Sequence, residues 1–454
     1  MRRIYLLAAG LLSMAAANAQ VTFGNMQNQI SRGKDGINVF DVQKDDKEFK
    51  GLSVEVGGAF AMQFQAFNSF NDQASSGTVG GKAYSGYRLT NLENQFNLPA
   101  ANMVIGAQLA DGVRVNLDLY LAARHHNETW VKGGYLQIDK LDFIKKDFLA
   151  DVMKYTTIKI GQMENNYGDA HFRRTDNGQA LLNPFIEGNI MDSFQTDMGM
   201  EVYYNRNGWV SMLGVTNGKL NQSVQETDPN VSPTILAKFG YDKQLNKDLR
   251  VRLTGSYNHN ANMSSNPWSS DRGGSRYYGV MAHNAYTFGG QPVAGNALVA
   301  GTQGESTFTT GRYQPGYSQY YTAFMFNPFV KYKGLEFFGT IETTTGGASK
   351  TDRSQSKSVN QFVGDVVYRF GQTEQFYLGA RYGTVTGELE TKDVNASINR
   401  LETSAGWFMT KNILAKLAYV DQTYKDFSQV SAGVLNDNYG GQFKGLMFEA
   451  VIAF

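Results

Sequence analysis

Strict alternation of apolar and polar side chains recurs along most of this chain and restricts it to strands. One clear example has an aliphatic residue at every second position: Val113, Val115, Leu117, Leu119 and Leu121. Because successive side chains of a strand point to opposite faces, the charged residues between them share the other face. The pattern returns at residues 52–65, 249–257, 335–342, 361–370, 376–382, 400–407 and 413–419. Soluble β-sandwiches also alternate, but their strands usually have five or six residues, whereas these run to about ten.

The last nine residues continue the alternation and end on a phenylalanine. The residues on one face are Leu446, Phe448, Ala450, Ile452 and Phe454, and Glu449 lies on the other face. This segment resembles the C-terminal strand of outer-membrane β-barrels, in which a terminal phenylalanine is read by the assembly machinery. The resemblance implies that Phe448, Ile452 and Phe454 form an assembly signal. A strand of a soluble domain is the alternative.

The N-terminus has the features of an export signal. Arg2 and Arg3 precede an apolar run, and Ala17-Asn18-Ala19 has the small-x-small pattern of a signal-peptidase site. We predict a cleaved signal peptide at 1–19, a periplasmic lead-in at 20–50 and a barrel at 51–454. No later segment has the roughly twenty apolar residues that a membrane-spanning helix needs. Any membrane would therefore be crossed by strands.

Composition narrows the function classes. The chain has 42 basic and 41 acidic residues, so its balanced charge gives no electrostatic argument for nucleic-acid binding. It has no cysteine, which excludes disulfides and a lipid-attachment cysteine. A mean hydropathy of -0.37 is too polar for a helical membrane protein but suits a barrel, in which only every second strand residue meets lipid.

The spacing of the connections is a second signal. Short turns are predicted at residues 110–112, 205–208, 244–248, 333–334, 371–374 and 410–412, and long polar segments alternate with them. Bacterial barrels have this arrangement of short periplasmic turns and long outer loops. We therefore predict an all-β fold, a closed antiparallel transmembrane β-barrel of about sixteen strands. The count requires residues 258–318 to form one large outer loop.

Residues 163–197 lie between two predicted strands and carry many charged side chains. The segments IKIGQMENNYG, DMGMEVYY and GWVSMLGVTNGKLN, in this order, resemble the phosphate-selective porin O and P family. The resemblance implies a sixteen-stranded, trimeric porin in which the 163–197 segment folds inward as a constriction loop. The turn here is Asn166-Tyr167-Gly168 in place of the family's Pro-Phe-Gly-like turn, and the segment has more carboxylates than arginines. Phosphate selectivity is therefore not carried over.

The candidate pore-lining residues follow from this arrangement. Inward-facing basic residues would face the constriction loop across water, and the full set is Arg114, Arg124, Lys159, Arg250 and Arg252 from the strands and Glu164, Asp169, His171, Arg173 and Arg174 from the loop. Opposed charges would create a transverse field that favours hydrophilic solutes. For Arg173 and Arg174, a salt-bridged anchor that holds the loop to the wall is an equal alternative.

These observations predict an outer-membrane porin for passive diffusion of small hydrophilic or charged solutes, with anions such as phosphate among them. We expect no enzymatic activity, cofactor or metal, since none of the five histidines lies in a motif with a nucleophile. The expected partners are outer-membrane lipid, the barrel-assembly machinery and two further copies in a homotrimer. The alternatives are an adaptor barrel of a secretion or attachment complex, with a blocked lumen, and a barrel hydrolase. Glu449→Gln is expected to be tolerated, because position 449 should face water in the lumen.

Overall fold

A computed structural model of the chain describes residues 26–41, 44–121, 129–174, 179–219, 224–226, 230–269, 277–295, 310–349 and 351–454. The predicted signal peptide at 1–19 and Arg124 lie outside these ranges. Within them, sixteen antiparallel strands close into a barrel, which confirms the predicted fold class. The strands are β1 (Ser53–Phe70), β2 (Gln95–Ala110), β3 (Val113–Leu121), β4 (Trp130–Ile138), β5 (Thr156–Glu164), β6 (Thr196–Arg206), β7 (Trp209–Thr216), β8 (Thr234–Gln244), β9 (Leu249–Asn260), β10 (Tyr320–Tyr332), β11 (Leu335–Gly347), β12 (Lys357–Phe370), β13 (Phe376–Gly387), β14 (Ala396–Thr410), β15 (Ile413–Lys425) and β16 (Gln442–Ala453).

The C-terminal strand closes the ring. β16 pairs with β1 on one side, with Phe448 opposite Phe64, and with β15 on the other. Leu446, Phe448 and Phe454 are exposed on the outer surface, while Met447, Glu449 and Val451 are buried inside. The assignment of faces from the sequence is therefore correct for this strand, and closure leaves it without a free edge.

The outer surface is apolar and carries a row of aromatic rings near one end of the barrel. Phe370 lies 5.9 Å from Tyr368 and 5.7 Å from Phe376, and the Phe376 ring lies 6.3 Å from Trp407, measured between ring centroids. These side chains point outward on β12, β13 and β14. Aromatic rows of this kind mark the membrane interfaces of outer-membrane barrels.

Connections at the two ends differ in length. One side of the barrel, where β1 begins and β16 ends, carries the short turns and is called the short-turn end. These turns are residues 111–112, 207–208, 245–248, 333–334, 371–375 and 411–412. The connection 139–155, at the same end, is longer and contains the helix α1 (Ala150–Met153). The long connections at the opposite end include residues 71–94, 165–195, 261–319 and 426–441. β9 pairs directly with β10, so the described part of 261–319 contributes no spanning strand.

Short elements lie within the long connections. Ser76–Val79, Lys82–Ser85, Tyr286–Phe288 and Gln291–Val293 form a small four-stranded sheet outside the barrel, and Val430–Ser431 pairs with Val434–Leu435. The 3-10 turns are Lys34–Gly36, Ala170–Arg173, Pro267–Ser269 and Arg353–Gln355. Among the described residues, none of the helices has the length and apolar character needed to cross a membrane.

Candidate functional site

The connection 165–195, which follows β5, folds into the barrel. Its two ends are joined where the Asn165 amide donates to the Gln195 carbonyl oxygen at 2.9 Å. Tyr167 then crosses the interior, and its hydroxyl donates to Glu342 Oε1 on β11 at 3.1 Å. Gly168 has a φ of +70°, and an added Cβ would lie 2.1 Å from Met325 Sδ. The Asn166-Tyr167-Gly168 turn therefore needs glycine at its third position for both backbone geometry and space.

Asp169 is the centre of a buried ion cluster. Arg252 holds it with two bonds, from Nε at 2.7 Å and from Nη2 at 2.9 Å, and the Lys238 ammonium lies 3.1 Å from Oδ1. The third Arg252 nitrogen, Nη1, pairs with Asp41 Oδ2 at 2.7 Å. Arg252 and Asp169 are both fully buried. These two residues, predicted to face each other across water, are in direct contact, so their charges join the loop to the wall.

Arg173 and Arg174 both hold the loop in place, which is the anchor alternative of the sequence analysis. Arg174 binds Asp192 through Nε and Nη2, each at 2.8 Å, and also contacts Glu164, so it joins the two ends of the loop. Arg173 reaches from the loop to the barrel wall, with Nη1 3.7 Å from Asp365 Oδ2 on β12 and its guanidinium 4.7 Å from the ring centroid of Phe338 on β11.

The wall opposite β5 holds the loop backbone through long cationic side chains. Arg381 Nη1 donates to the Glu187 carbonyl oxygen at 2.8 Å, and Arg400 Nη1 donates to that of Gly188 at 2.9 Å. Lys416 Nζ donates to three carbonyl oxygens, those of Ala180 at 2.8 Å, Asn183 at 3.2 Å and Phe185 at 3.0 Å. The loop is therefore fixed along β13, β14 and β15, and these anchors were not among the predicted site residues.

Lys416 also pairs with Glu449, a position that the sequence analysis expects to tolerate glutamine. The Glu449 carboxylate lies 2.5 Å from Lys416 Nζ and accepts a bond from Gln63 Nε2 at 2.6 Å. Both members of the ion pair are fully buried. Position 449 does face inward, but it meets a protein cation and no open lumen. The tolerance of Glu449→Gln stays a prediction, and the buried ion pair with Lys416 is an argument against it.

Described residues of the connection 261–319 cover the connection 165–195, which is called the first internal loop, from the side of the barrel that carries the long connections. Its described residues bond to the loop at two points: the Phe194 amide donates to the Pro267 carbonyl oxygen at 2.9 Å, and the Tyr313 amide donates to that of Ile190 at 2.8 Å. Trp268, which is fully buried, donates from Nε1 to Glu342 at 3.2 Å. The described residues of the two connections therefore contact each other and the inner faces of β11, β12 and β15.

Residues 26–41 enter the barrel at the short-turn end. Arg114 on β3 donates to the Asn28 carbonyl oxygen, and Arg250 on β9 donates to that of Asn38, each at 2.9 Å. On a third side, the Lys34 amide donates to the carbonyl oxygen of Lys411, in the turn between β14 and β15. The segment expected as a periplasmic lead-in thus crosses the mouth of the barrel. This position could not be predicted from the sequence. Residues 26–41 have no regular period, and each of these contacts is with a residue far along the chain.

An open cavity of about 240 Å³ remains between these segments and the inner faces of β1 to β6. Its basic lining residues are Arg32, Arg114, Lys132 and Lys159, and its acidic lining residues are Asp41, Asp118, Glu164 and Glu201. His171 also borders it, whereas Asp169, Arg173, Arg174, Arg250 and Arg252 are not among its lining residues. The structure therefore brings Arg114, Lys159, Glu164 and His171 to one cavity and places the other described candidates in the anchors.

Two lysines of the cavity lie against aromatic rings. Lys159 Nζ is 4.9 Å from the Tyr203 ring centroid and 5.4 Å from that of Tyr135. Lys132 Nζ is 4.6 Å from the Tyr120 ring centroid and 4.9 Å from that of Phe194. Ring faces attract cations and hold them in place without neutralising them. Lys132 was not a predicted site residue, because it lies at a β-bulge between β3 and β4, and strict alternation with the inward Tyr135 and Gln137 would place it on the outer face.

Each of the three described histidines lies against a polar partner. His171 is buried, and its Nε2 lies 2.9 Å from Asn166 Oδ1. His259 Nδ1 lies 2.9 Å from Thr322 Oγ1, and His283 Nδ1 lies 2.7 Å from Asp437 Oδ2. Within the part of the chain that the structure describes, no group of three or more His, Asp or Glu side chains could hold a metal ion.

Comparison with known proteins gives structural likenesses only. No protein-family profile and no curated protein sequence matches the chain. Three solved structures that resemble it are OmpT of Vibrio cholerae (9% identity, TM-score 0.49, 89% of this chain and 100% of that chain), an anion-selective porin from Comamonas acidovorans (11%, 0.47, 89% and 100%) and the outer-membrane channel DcaP of Acinetobacter baumannii (10%, 0.44, 90% and 99%). With TM-scores below 0.5, these likenesses carry no information about activity or solute.

Proposed function

We propose that this chain is an outer-membrane channel of the porin type, through which small hydrophilic solutes cross by passive diffusion. The observation that carries the proposal is the cavity beside β1 to β6, whose wall combines basic and acidic side chains. A buried wall of this composition is unfavourable in an apolar protein interior unless water or solute occupies the space. The cavity lies between the described internal segments and the inner faces of β1 to β6.

The membrane position is supported by the outer surface. Apolar side chains such as Leu213, Leu378 and Leu417 are exposed on the strands, at 70%, 56% and 51% of their surface. In water such a belt would be a strong aggregation hazard, whereas lipid is its natural solvent. The predicted export signal at 1–19 and the terminal Phe454, as an assembly signal, belong to the same proposal.

The transverse arrangement of charges sets the expected solute class. Lys132 and Lys159 extend into the cavity from neighbouring strands, and Asp118 and Glu164 lie on the same wall. Charges of both signs in a narrow passage favour dipolar and ionic solutes over apolar ones. Basic side chains held by rings give the passage affinity for small anions, phosphate included. A homotrimer is expected from the family resemblance alone.

The adaptor barrel is the second candidate, and one observation favours it. The described residues of 26–41 and 165–195 bind the inner wall of the barrel, and described residues of 261–319 bind the second of these segments. An adaptor would use them to seal the barrel. The channel proposal instead treats them as the elements that narrow the passage to one side.

Conductance of the purified chain in a planar bilayer separates the two candidates. The channel proposal predicts discrete conductance steps and a reversal potential that shifts under a salt gradient. Lys159→Gln should move this potential toward cation preference, because it removes a cation from the wall. Lys444→Gln, which changes an exposed lysine on the same barrel, should leave it unchanged. Folded, heat-modifiable protein that never conducts would refute the channel and favour the adaptor.

A further inference from the structure

The connection 139–155, at the short-turn end, exposes a set of large apolar side chains. The exposed fractions are 60% for Phe143 and Ile144, 50% for Leu149 and Val152, and 39% for Phe148. These values equal those of side chains on the outer belt of the barrel. Exposure of this extent in one short segment indicates a surface that is covered in the working protein.

The backbone of the segment leaves these side chains on the protein surface, with Phe148 also bordering a cavity beside residues 44–49. Successive turns form where the Ile144 amide donates to the Leu141 carbonyl oxygen, and the Phe148 amide to that of Lys145. Leu149 has a left-handed φ of 54° at the start of the helix α1. Met153 is the buried side chain of that helix, so α1 uses one residue for packing and leaves Leu149 and Val152 outside.

The segment is continuous with the outer surface of the barrel. Its last residue, Tyr155, has its ring centroid 6.0 Å from that of Tyr204, which points outward on β6. Trp209, at the start of β7, is also exposed and stacks on Phe239 at 5.3 Å. The apolar residues of 139–155 therefore extend the aromatic belt beyond the ends of the strands.

We propose that the connection 139–155 inserts its apolar side chains into the boundary between lipid headgroups and acyl chains, as an interfacial anchor at the short-turn end. The inference rests on the proposed membrane position of the barrel. The charged side chains of the whole segment balance, with Lys140, Lys145, Lys146 and Lys154 against Asp139, Asp142, Asp147 and Asp151. The partner is therefore the apolar layer of a phospholipid leaflet, and the net charge of the headgroups is not required.

Spin labels test the insertion, because the chain has no native cysteine. Single-cysteine variants at Ile144, Phe148 and Val152 would be labelled and reconstituted into phosphatidylcholine vesicles. Leu378→Cys, on the outer belt, is the lipid reference, and Lys146→Cys is the polar control within the same segment. Power saturation compares accessibility to oxygen, which concentrates in lipid, with accessibility to a water-soluble nickel chelate.

The three labels should favour oxygen as the label at 378 does, while the label at 146 should favour the nickel chelate. If the labels at 144, 148 and 152 favour the nickel chelate while the label at 378 favours oxygen, the connection 139–155 is not inserted in lipid. The proposed membrane position of the barrel would then still hold. Immobile labels shielded from both reagents would also overturn the anchor, and would indicate contact between copies of the chain. A label at 378 that lies in water would refute the membrane position itself.

Discussion

Lys416→Met should release the first internal loop from the barrel wall. The ammonium group of Lys416 bonds to the carbonyl oxygens of Ala180, Asn183 and Phe185 and pairs with the buried Glu449. Methionine has a similar length and no charge, so the substitution removes these interactions and adds little steric strain. It leaves three carbonyl oxygens and one carboxylate without their donor.

The expected loss of stability follows from these contacts. Removing one partner of a buried ion pair costs about 3–5 kcal/mol, because the remaining charge is left uncompensated. Each carbonyl oxygen that stays buried without a donor adds about 1–3 kcal/mol, but a loop that moves away lets water replace the lysine. We therefore expect a loss of about 3–5 kcal/mol, with detachment of the loop limiting the total.

The assay is urea unfolding of the reconstituted barrel, together with single-channel conductance. Lys444→Met is the matched control, because Lys444 is an exposed lysine on the same strand as Glu449. Lys416→Met/Glu449→Met should recover about 0.5–3 kcal/mol relative to the sum of the single variants, since it removes the unpaired carboxylate. Unchanged stability and conductance in Lys416→Met, with the barrel still folded, would show that Lys416 does not hold the loop.

Two further predictions concern the lipid face and the outer loops. Ile452→Arg should lower the amount of assembled, heat-resistant barrel seen on gels, because an arginine on the lipid face costs about 2–4 kcal/mol at mid-depth. Assembly at the level of the unsubstituted chain would contradict this. In the outer loops, burial lowers the pKa of His283, but the hydrogen bond and charge of Asp437 raise it by more, so the folded-state pKa lies above its usual value. The stabilisation from this pair is thus complete below the unfolded pKa of about 6.5 and is lost as the pH rises through the folded value. Proteolysis of the 426–441 loop should therefore speed up with rising pH, and His283→Gln should remove this dependence; an unaltered pH profile in the variant would contradict the assignment.

The fold could be predicted from the alternation of apolar and polar residues, because successive side chains of a strand belong to opposite faces. The faces of β16 follow directly from Leu446, Phe448 and Glu449. What faces each inward residue was not predictable. Glu449 lies directly opposite Lys416 on the neighbouring strand β15, but the long connection 426–441 hides this register, and Lys416 meets carbonyl oxygens more than 230 residues earlier. A sequence pattern contains no information about such distant partners.

The candidate site was predicted in part for the same reason. Lys159 and Arg114 border the open cavity because alternation places them inside the barrel. Arg252 has the same alternation, but a loop carboxylate and Asp41 cover it. Residues 26–41 have no regular period, and so their position across the mouth of the barrel could not be inferred from sequence.

In the proposed channel, solutes pass beside β1 to β6 and not along β9 to β16, where the described loop residues bind the wall. Two cysteine variants test it in the planar bilayer: Lys159→Cys in the open cavity, and Thr340→Cys, a fully buried inward position on β11. A charged thiol-specific reagent should reduce the conductance of Lys159→Cys within the recording and leave that of Thr340→Cys unchanged. Reduced conductance in Thr340→Cys alone would place the passage on the other side and contradict the account.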